Sequence, residues 1–197
     1  MAVTELSDLE LVKQAVLTQG RALGNDILKV DSFLNHQLDV DLLNAIGRIF
    51  YEKFGHLAID KIMTAEVSGI AIATIAAQYF NVPVVFAKKT ISKNLDPETW
   101  EGTVYSYTKK QTYQIRVSKR YLHQGEKVLI LDDFLANGEA IKGMKQIIDN
   151  AGAEMAGAGV VIEKSFQPGA SLLNHLGISV EPIIQVESLA NENIVLK

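Results

Sequence analysis

This sequence predicts an α/β fold, a mostly parallel sheet flanked by helices, and three observations carry the prediction. First, apolar runs of strand length alternate with helix-spaced segments across residues 58–87 and again across 128–162. Second, each such run forms a βαβ unit, whose parallel crossover is right-handed and passes over one face of the sheet. Third, the apolar residues Val128, Leu129, Ile130 and Leu131 run straight into Asp132 and Asp133. Ligands of such sheets bind beyond the carboxyl ends of the strands, and that is where these acids fall.

Taken along the chain, Ser7 and Glu10 have capping-box spacing, and Leu9, Val12, Val16 and Leu17 recur at helical intervals, so a first helix runs to about Gly20. Residues 28–37 break that period and read as irregular or short extended structure. A helix over 40–54 closes at Gly55. Next come a strand at 58–64, a helix at 69–80 and a strand at 82–87. Residues 103–108 and 112–118 are two extended segments separated by Lys109, Lys110 and Gln111, the pattern of a hairpin or mobile arm. The second unit has strands at 128–131 and 158–162 around a helix at 139–150 that ends near Gly152. A short helix at 172–176 and a strand at 178–186 complete the reading.

Composition narrows the function. The 197 residues are 48% hydrophobic and 21% charged, enough apolar material for one core, and one domain spanning 1–197 is expected. There is no cysteine, hence no disulfide and no thiolate metal site. His36, His56, His123 and His175 have no zinc-ligand spacing. The first ten residues lack the basic start and apolar run of an export signal, and 69–80 is too short to span a bilayer, so a cytoplasmic protein is expected. A net charge of −4 argues against general attraction to nucleic acid.

The chemistry concentrates at 128–140. Neighbouring side chains on an extended chain point to opposite faces, so Asp132 and Asp133 cannot both turn away from the core. Taken alone, such a pair most often marks a strand-end turn. Here it is followed by Ala136, Asn137, Gly138, Glu139 and Ala140, small or permissive residues where a helix must start. Free main-chain amides and the helix dipole make that point a cup for an anion. Carboxylates beside a bound phosphate suit recognition of sugar hydroxyls, directly or through magnesium.

That segment resembles the phosphoribosyl pyrophosphate motif of the type I phosphoribosyltransferases: a four-residue apolar strand, two acids and a small-residue loop. Asn137, Glu139 and Ala140 depart from its usual Thr, Gly and hydroxyl residues, which leaves the phosphate to backbone amides and Asn137. Residues 28–37, 84–89, 132–138 and 161–169 together are similar to the xanthine-using branch of the purine phosphoribosyltransferases, and the likeness covers essentially the whole chain. It implies the fold of that family, with a hood over the base built from 1–37 and 164–197. It implies Asp132 and Asp133 along the ribose as catalytic acids and 136–140 on the 5′-phosphate. Glu66, Val67, Ser68 and Gly69 match the pyrophosphate loop, with Lys88 and Lys89 adding charge. Leu28, Asn35, Phe134 and Lys164 would hold the base. No protein ligand to a metal is assigned; magnesium would arrive mainly on phosphoribosyl pyrophosphate. The family further implies a homodimer and an arm, at 90–119, that is mobile without ligand and covers the donor. Two alternatives stay open: an adenine or hypoxanthine-guanine enzyme, and a phosphoribosyl pyrophosphate sensor that regulates transcription on nucleic acid.

Overall fold

The computed structural model describes residues 6–89, 96–107 and 110–197. The part of the expected arm at 90–95, together with Thr108 and Lys109, lies outside the described residues. Helix α1 (Asp8–Gln19) opens on Ser7, whose hydroxyl accepts the Glu10 amide at 3.3 Å. Strands β1 (Arg21–Leu23) and β2 (Ile27–Lys29) pair as a small antiparallel hairpin. There follow α2 (Val40–Phe54), β3 (Lys61–Ala65), α3 (Gly69–Phe80), β4 (Val84–Ala87), β5 (Thr99–Ser106) and β6 (Gln111–Ser118). The chain continues through β7 (Lys127–Leu135), α4 (Glu139–Asn150), β8 (Glu154–Lys164), α5 (Gly169–His175), β9 (Glu181–Ser188) and β10 (Val195–Leu196).

The central sheet has the order β10-β9-β8-β7-β3-β4. Its first five strands in chain order are parallel, and only β10 runs antiparallel, at the edge. Parallel strands need crossovers, which cover both faces and force the strands to be apolar on both sides. All five residues of β3 are buried accordingly. Alternation along β7 sends Leu129 and Leu131 into a core shared with α1, α2 and α3, and Val128 and Ile130 into a second core shared with α4. Each such side chain, fully buried, contributes about 1.5–3 kcal/mol. Helix α4 faces this second core with Ile141, Met144, Ile147 and Ile148, a stripe at helical spacing.

Strands β5 and β6 form a separate hairpin with an eight-residue ladder, Thr99 opposite Ser118 out to Ser106 opposite Gln111. Its base lies across α4. The Asn150 amide donates to the Glu101 carbonyl at 3.0 Å, and the Thr103 amide donates to Gln146 Oε1 at 2.9 Å. Between them the backbones cross so closely that a Cβ on Gly102 would sit 2.0 Å from the Gly143 carbonyl oxygen. Reciprocal 2.9 Å bonds between Lys88 and Arg116 tie the hairpin to the end of β4 as well.

The expected helices at 40–54, 69–80 and 139–150 coincide with α2, α3 and α4. The strands differ in extent. The 128–131 strand does not stop at the acids: β7 carries Asp132 and Asp133 inside it, because β8 keeps pairing with it as far as Leu135 opposite Glu163. The strand expected at 58–64 begins only at Lys61. The start of the irregular stretch at 28–37 belongs to the β1–β2 hairpin, whose three-residue strands are too short to show a period.

Candidate active site

Extended backbone separates the two acids. Asp132 is buried, and its Oδ1 accepts the amide of Asp133 at 2.9 Å. Asp133 is half-buried; its Oδ1 accepts the Phe134 amide at 2.9 Å and its Oδ2 accepts Asn35 Nδ2 at 3.3 Å. Burial first, and then the neighbouring charge of Asp133, push the Asp132 carboxyl well above the ordinary range. A carboxyl so placed gains from any hydroxyl or cation brought beside it.

Beyond Leu135 the chain turns through Ala136, Asn137 and Gly138 into α4. Gly138 makes the turn at φ 79°, where a side chain would be strained and would also strike Leu173. No side chain caps the helix, so its first amides are left for an anion. The loop is braced from behind by the Gly169 amide, which donates to the Ala136 carbonyl at 3.0 Å. Glu139 is directed sideways: its Oε1 pairs with Lys142 and its Oε2 accepts the Tyr105 amide of the hairpin, each at 3.4 Å. A cavity of about 200 Å³ opens against this loop, lined by Asn137, Gly138, Glu139 and Ala140 with Tyr105 and Tyr113 facing them.

On the other side of the acids, the loop between β3 and α3 contains a cis peptide at Glu66–Val67. Glu66 Oε1 accepts the Lys89 amide at 2.5 Å, joining the loop to the end of β4. Gly69 is wedged at the start of α3, where a Cβ would lie 1.9 Å from Thr64 Oγ1 and 3.1 Å from Asp132 Oδ1. A second cavity of about 190 Å³ is lined here by Glu66, Ser68, Lys89, Tyr113, Asp132 and Asp133. Lys88 is not brought to it. Its ammonium lies 5.8 Å from the Phe86 ring, and the residue lines a separate cavity of about 680 Å³ with Arg116. Consecutive residues of an extended chain tend to face opposite ways, and Lys88 and Lys89 divide accordingly.

The base-side candidates gather at the hood. Lys164, at the end of β8, donates to the Asp26 carbonyl at 2.7 Å, and its ammonium stands 5.6 Å over the Phe134 ring. Burial lowers its pKa. Leu28 is buried in β2, and Asn35 reaches Asp133 from the stretch that follows it. Sequence reasoning did not single out Asp26 or Tyr113. A Gly24-Asn25-Asp26 turn was the available signal for the first; nothing local marks the second.

The acids, the uncapped start of α4 and the loop before α3 thus meet at the carboxyl ends of parallel strands, where α/β sheets bind their ligands. The phosphoribosyl transferase domain profile matches residues 31–175, and the chain belongs to the phosphoribosyltransferase family. Within it, the xanthine phosphoribosyltransferase of Alkaliphilus metalliredigens is 56% identical over 189 residues, 96% of this chain and 94% of that one. The xanthine phosphoribosyltransferase of Laribacter hongkongensis is 55% identical over 94% of this chain and 98% of its own. Among solved structures, adenine phosphoribosyltransferase from Rhodothermus marinus superposes with a TM-score of 0.74 over 91% of this chain and 98% of that chain. At 22% identity that likeness is one of fold.

Proposed function

We propose that this protein transfers the 5-phosphoribosyl group of phosphoribosyl pyrophosphate to xanthine, giving xanthosine 5′-monophosphate and pyrophosphate in purine salvage. The observation that carries the reading is the placing of Asp132 and Asp133 between the 136–140 loop and the 66–69 loop, with Lys164 over Phe134 at the hood. In this reading the 5′-phosphate takes the amides of 136–140, the ribose lies along the acids, and the pyrophosphate lies against Glu66 to Gly69 and Lys89. A bond forms between a purine ring nitrogen and the anomeric carbon as the carbon–oxygen bond to pyrophosphate breaks. No protein nucleophile is needed; the protein contributes positioning and electrostatic support for charge spread over the ribose. Magnesium binds through one or two carboxylates together with substrate phosphates, and the acid pair offers groups of that kind; it would offset charge on the leaving pyrophosphate. Residues 1–37 and 164–197 act as the hood of a single functional unit, working as a cytoplasmic homodimer, which cell fractionation and sedimentation equilibrium test.

Xanthine presents carbonyl oxygens and rewards donors. The Asn35 amide has a second hydrogen beyond the one given to Asp133, and the Lys164 ammonium has two beyond the one given to Asp26. Competitive turnover of xanthine, guanine, hypoxanthine and adenine in one assay tests the assignment: xanthine is consumed first at low concentration. A nucleic-acid-binding sensor would consume none of them.

Two further outcomes are expected. Lys164→Gln loses a charge-assisted bond and raises KM for xanthine about tenfold or more, while KM for the donor stays nearly constant; equal effects on both would remove Lys164 from the base site. Because burial lowers the Lys164 pKa, the ammonium is lost at lower pH than in a free lysine, near 10.4. Affinity for xanthine therefore declines as pH rises, beginning below that value. Initial rates across an alkaline series check it, with Lys164→Arg, which keeps its charge, flattening the lysine component of the decline.

A further inference from the structure

The cleft holds two adjoining cavities. Val104, Tyr113, Phe134 and Ala140 line both the cavity of about 200 Å³ at the phosphate loop and the cavity of about 190 Å³ beside the acids. Small-molecule sites generally start near about 300 Å³. Neither half alone matches a ribose with phosphate at one end and pyrophosphate at the other; the two joined would.

Of the four shared walls, Tyr113 is the long side chain carried outside the central sheet. Phe134 belongs to β7, in the interior of the six-stranded sheet, and packs against the first core. Ala140 is a methyl group in the first turn of α4, and Val104 is buried against Gly143. Tyr113 is half-buried on β6, in a hairpin of two strands, with a long side chain on two rotatable bonds. It also engages groups assigned to the donor. Lys89 stands 5.8 Å from its ring centroid, and burial, followed by the negative charge of Asp132, raises the pKa of its hydroxyl.

We propose that Tyr113 is a donor-selecting partition: its ring occupies the passage between the phosphate cup and the acid pair, and phosphoribosyl pyrophosphate binds by displacing it. The inference rests on the cleft being the donor site. Donor affinity is then lower than the contacts alone would give, because the binding-competent arrangement is only a fraction of the population. An anion that fits in one half can bind beside the ring without displacing it.

Calorimetric titration of wild type, Tyr113→Phe, Tyr113→Ala and Tyr113→Ser with magnesium and phosphoribosyl pyrophosphate, and separately with inorganic phosphate, tests this. The Ala and Ser variants bind the donor about three- to tenfold more tightly, Phe stays within about twofold of wild type, and phosphate binds all four alike. Two small replacements guard against one failing to fold, which melting curves would reveal. Donor binding by Ala and Ser that is equal to or weaker than wild type overturns the partition alone, as does a Phe variant as tight as Ala. Wild-type protein that binds no donor overturns the reading of the cleft along with it.

Discussion

Replacing Gly69 by alanine is expected to lower kcat/KM for the phosphoribosyl donor about a hundredfold while leaving the fold intact. A Cβ at this position would lie 1.9 Å from Thr64 Oγ1, a separation no pair of non-bonded atoms sustains, and 3.1 Å from Asp132 Oδ1. Thr64 is fully buried in β3, and even its Cβ would lie 3.2 Å from the added methyl. The start of α3 must therefore withdraw from the acid pair, carrying Glu66 to Ser68 with it. A displacement of about 1 Å between groups that grip opposite ends of one substrate is enough for a loss of that size. Steady-state kinetics with varied donor, beside a melting curve, measure it. Unchanged kcat/KM would mean that the loop does not need to sit against Asp132 for turnover.

The largest effect on stability is expected at Glu126. Lys61 is buried at the start of β3, and its ammonium donates to both carboxylate oxygens of Glu126, at 2.7 and 2.8 Å, and to the Tyr121 carbonyl at 2.6 Å. Glu126→Ala leaves that charge buried with one carbonyl for company, a change that costs about 3–5 kcal/mol. For a chain of this size the melting temperature should fall by roughly 6–20 °C. Replacing both partners, as Lys61→Met with Glu126→Leu, should recover most of the loss, since apolar groups of similar volume need no partner. Burial alone would raise the Glu126 pKa, but the hydrogen bonds from Lys61 and from the His123 amide outweigh it and leave it lowered. A lowered carboxyl pKa stabilises the fold above the unfolded-state value near 4.3 and stops doing so as pH falls through the folded one. Wild type and Glu126→Ala should therefore converge in acid. Melting within a degree or two of wild type at neutral pH would show the pair to be dispensable.

The features legible in the sequence are those that local physics dictates. The stripe of Ile141, Met144, Ile147 and Ile148 and the permissive residues before it mark α4, and the acids after an apolar run mark the cleft. The end of β7 was not legible, because two carboxylates look like the end of a strand until the neighbouring strand is known to pair past them. Lys88 and Lys89 are chemically identical neighbours. With both faces of a strand covered, the pattern of hydrophobicity does not say which of two adjacent residues looks into the cleft. Lys164 and Asp26 meet across 138 residues of chain, and Tyr113 enters the cleft from a hairpin whose own sequence reads as a solvated ribbon. Contacts of that range are set by the sheet order and leave no spacing to read.

The crossing of Gly102 over Gly143 limits how the hairpin can behave as a lid. It is pinned at Glu101, Gly102 and Thr103 along the very helix whose first turn would cradle the phosphate, so a shift of the hairpin strains the cradle too. The grip reaches further out as well, where Val104 is buried against Gly143 and the Tyr105 amide donates to Glu139 Oε2. Bulk introduced at either glycine would prise the ribbon off the helix, and donor binding is expected to weaken although neither glycine lines the cleft.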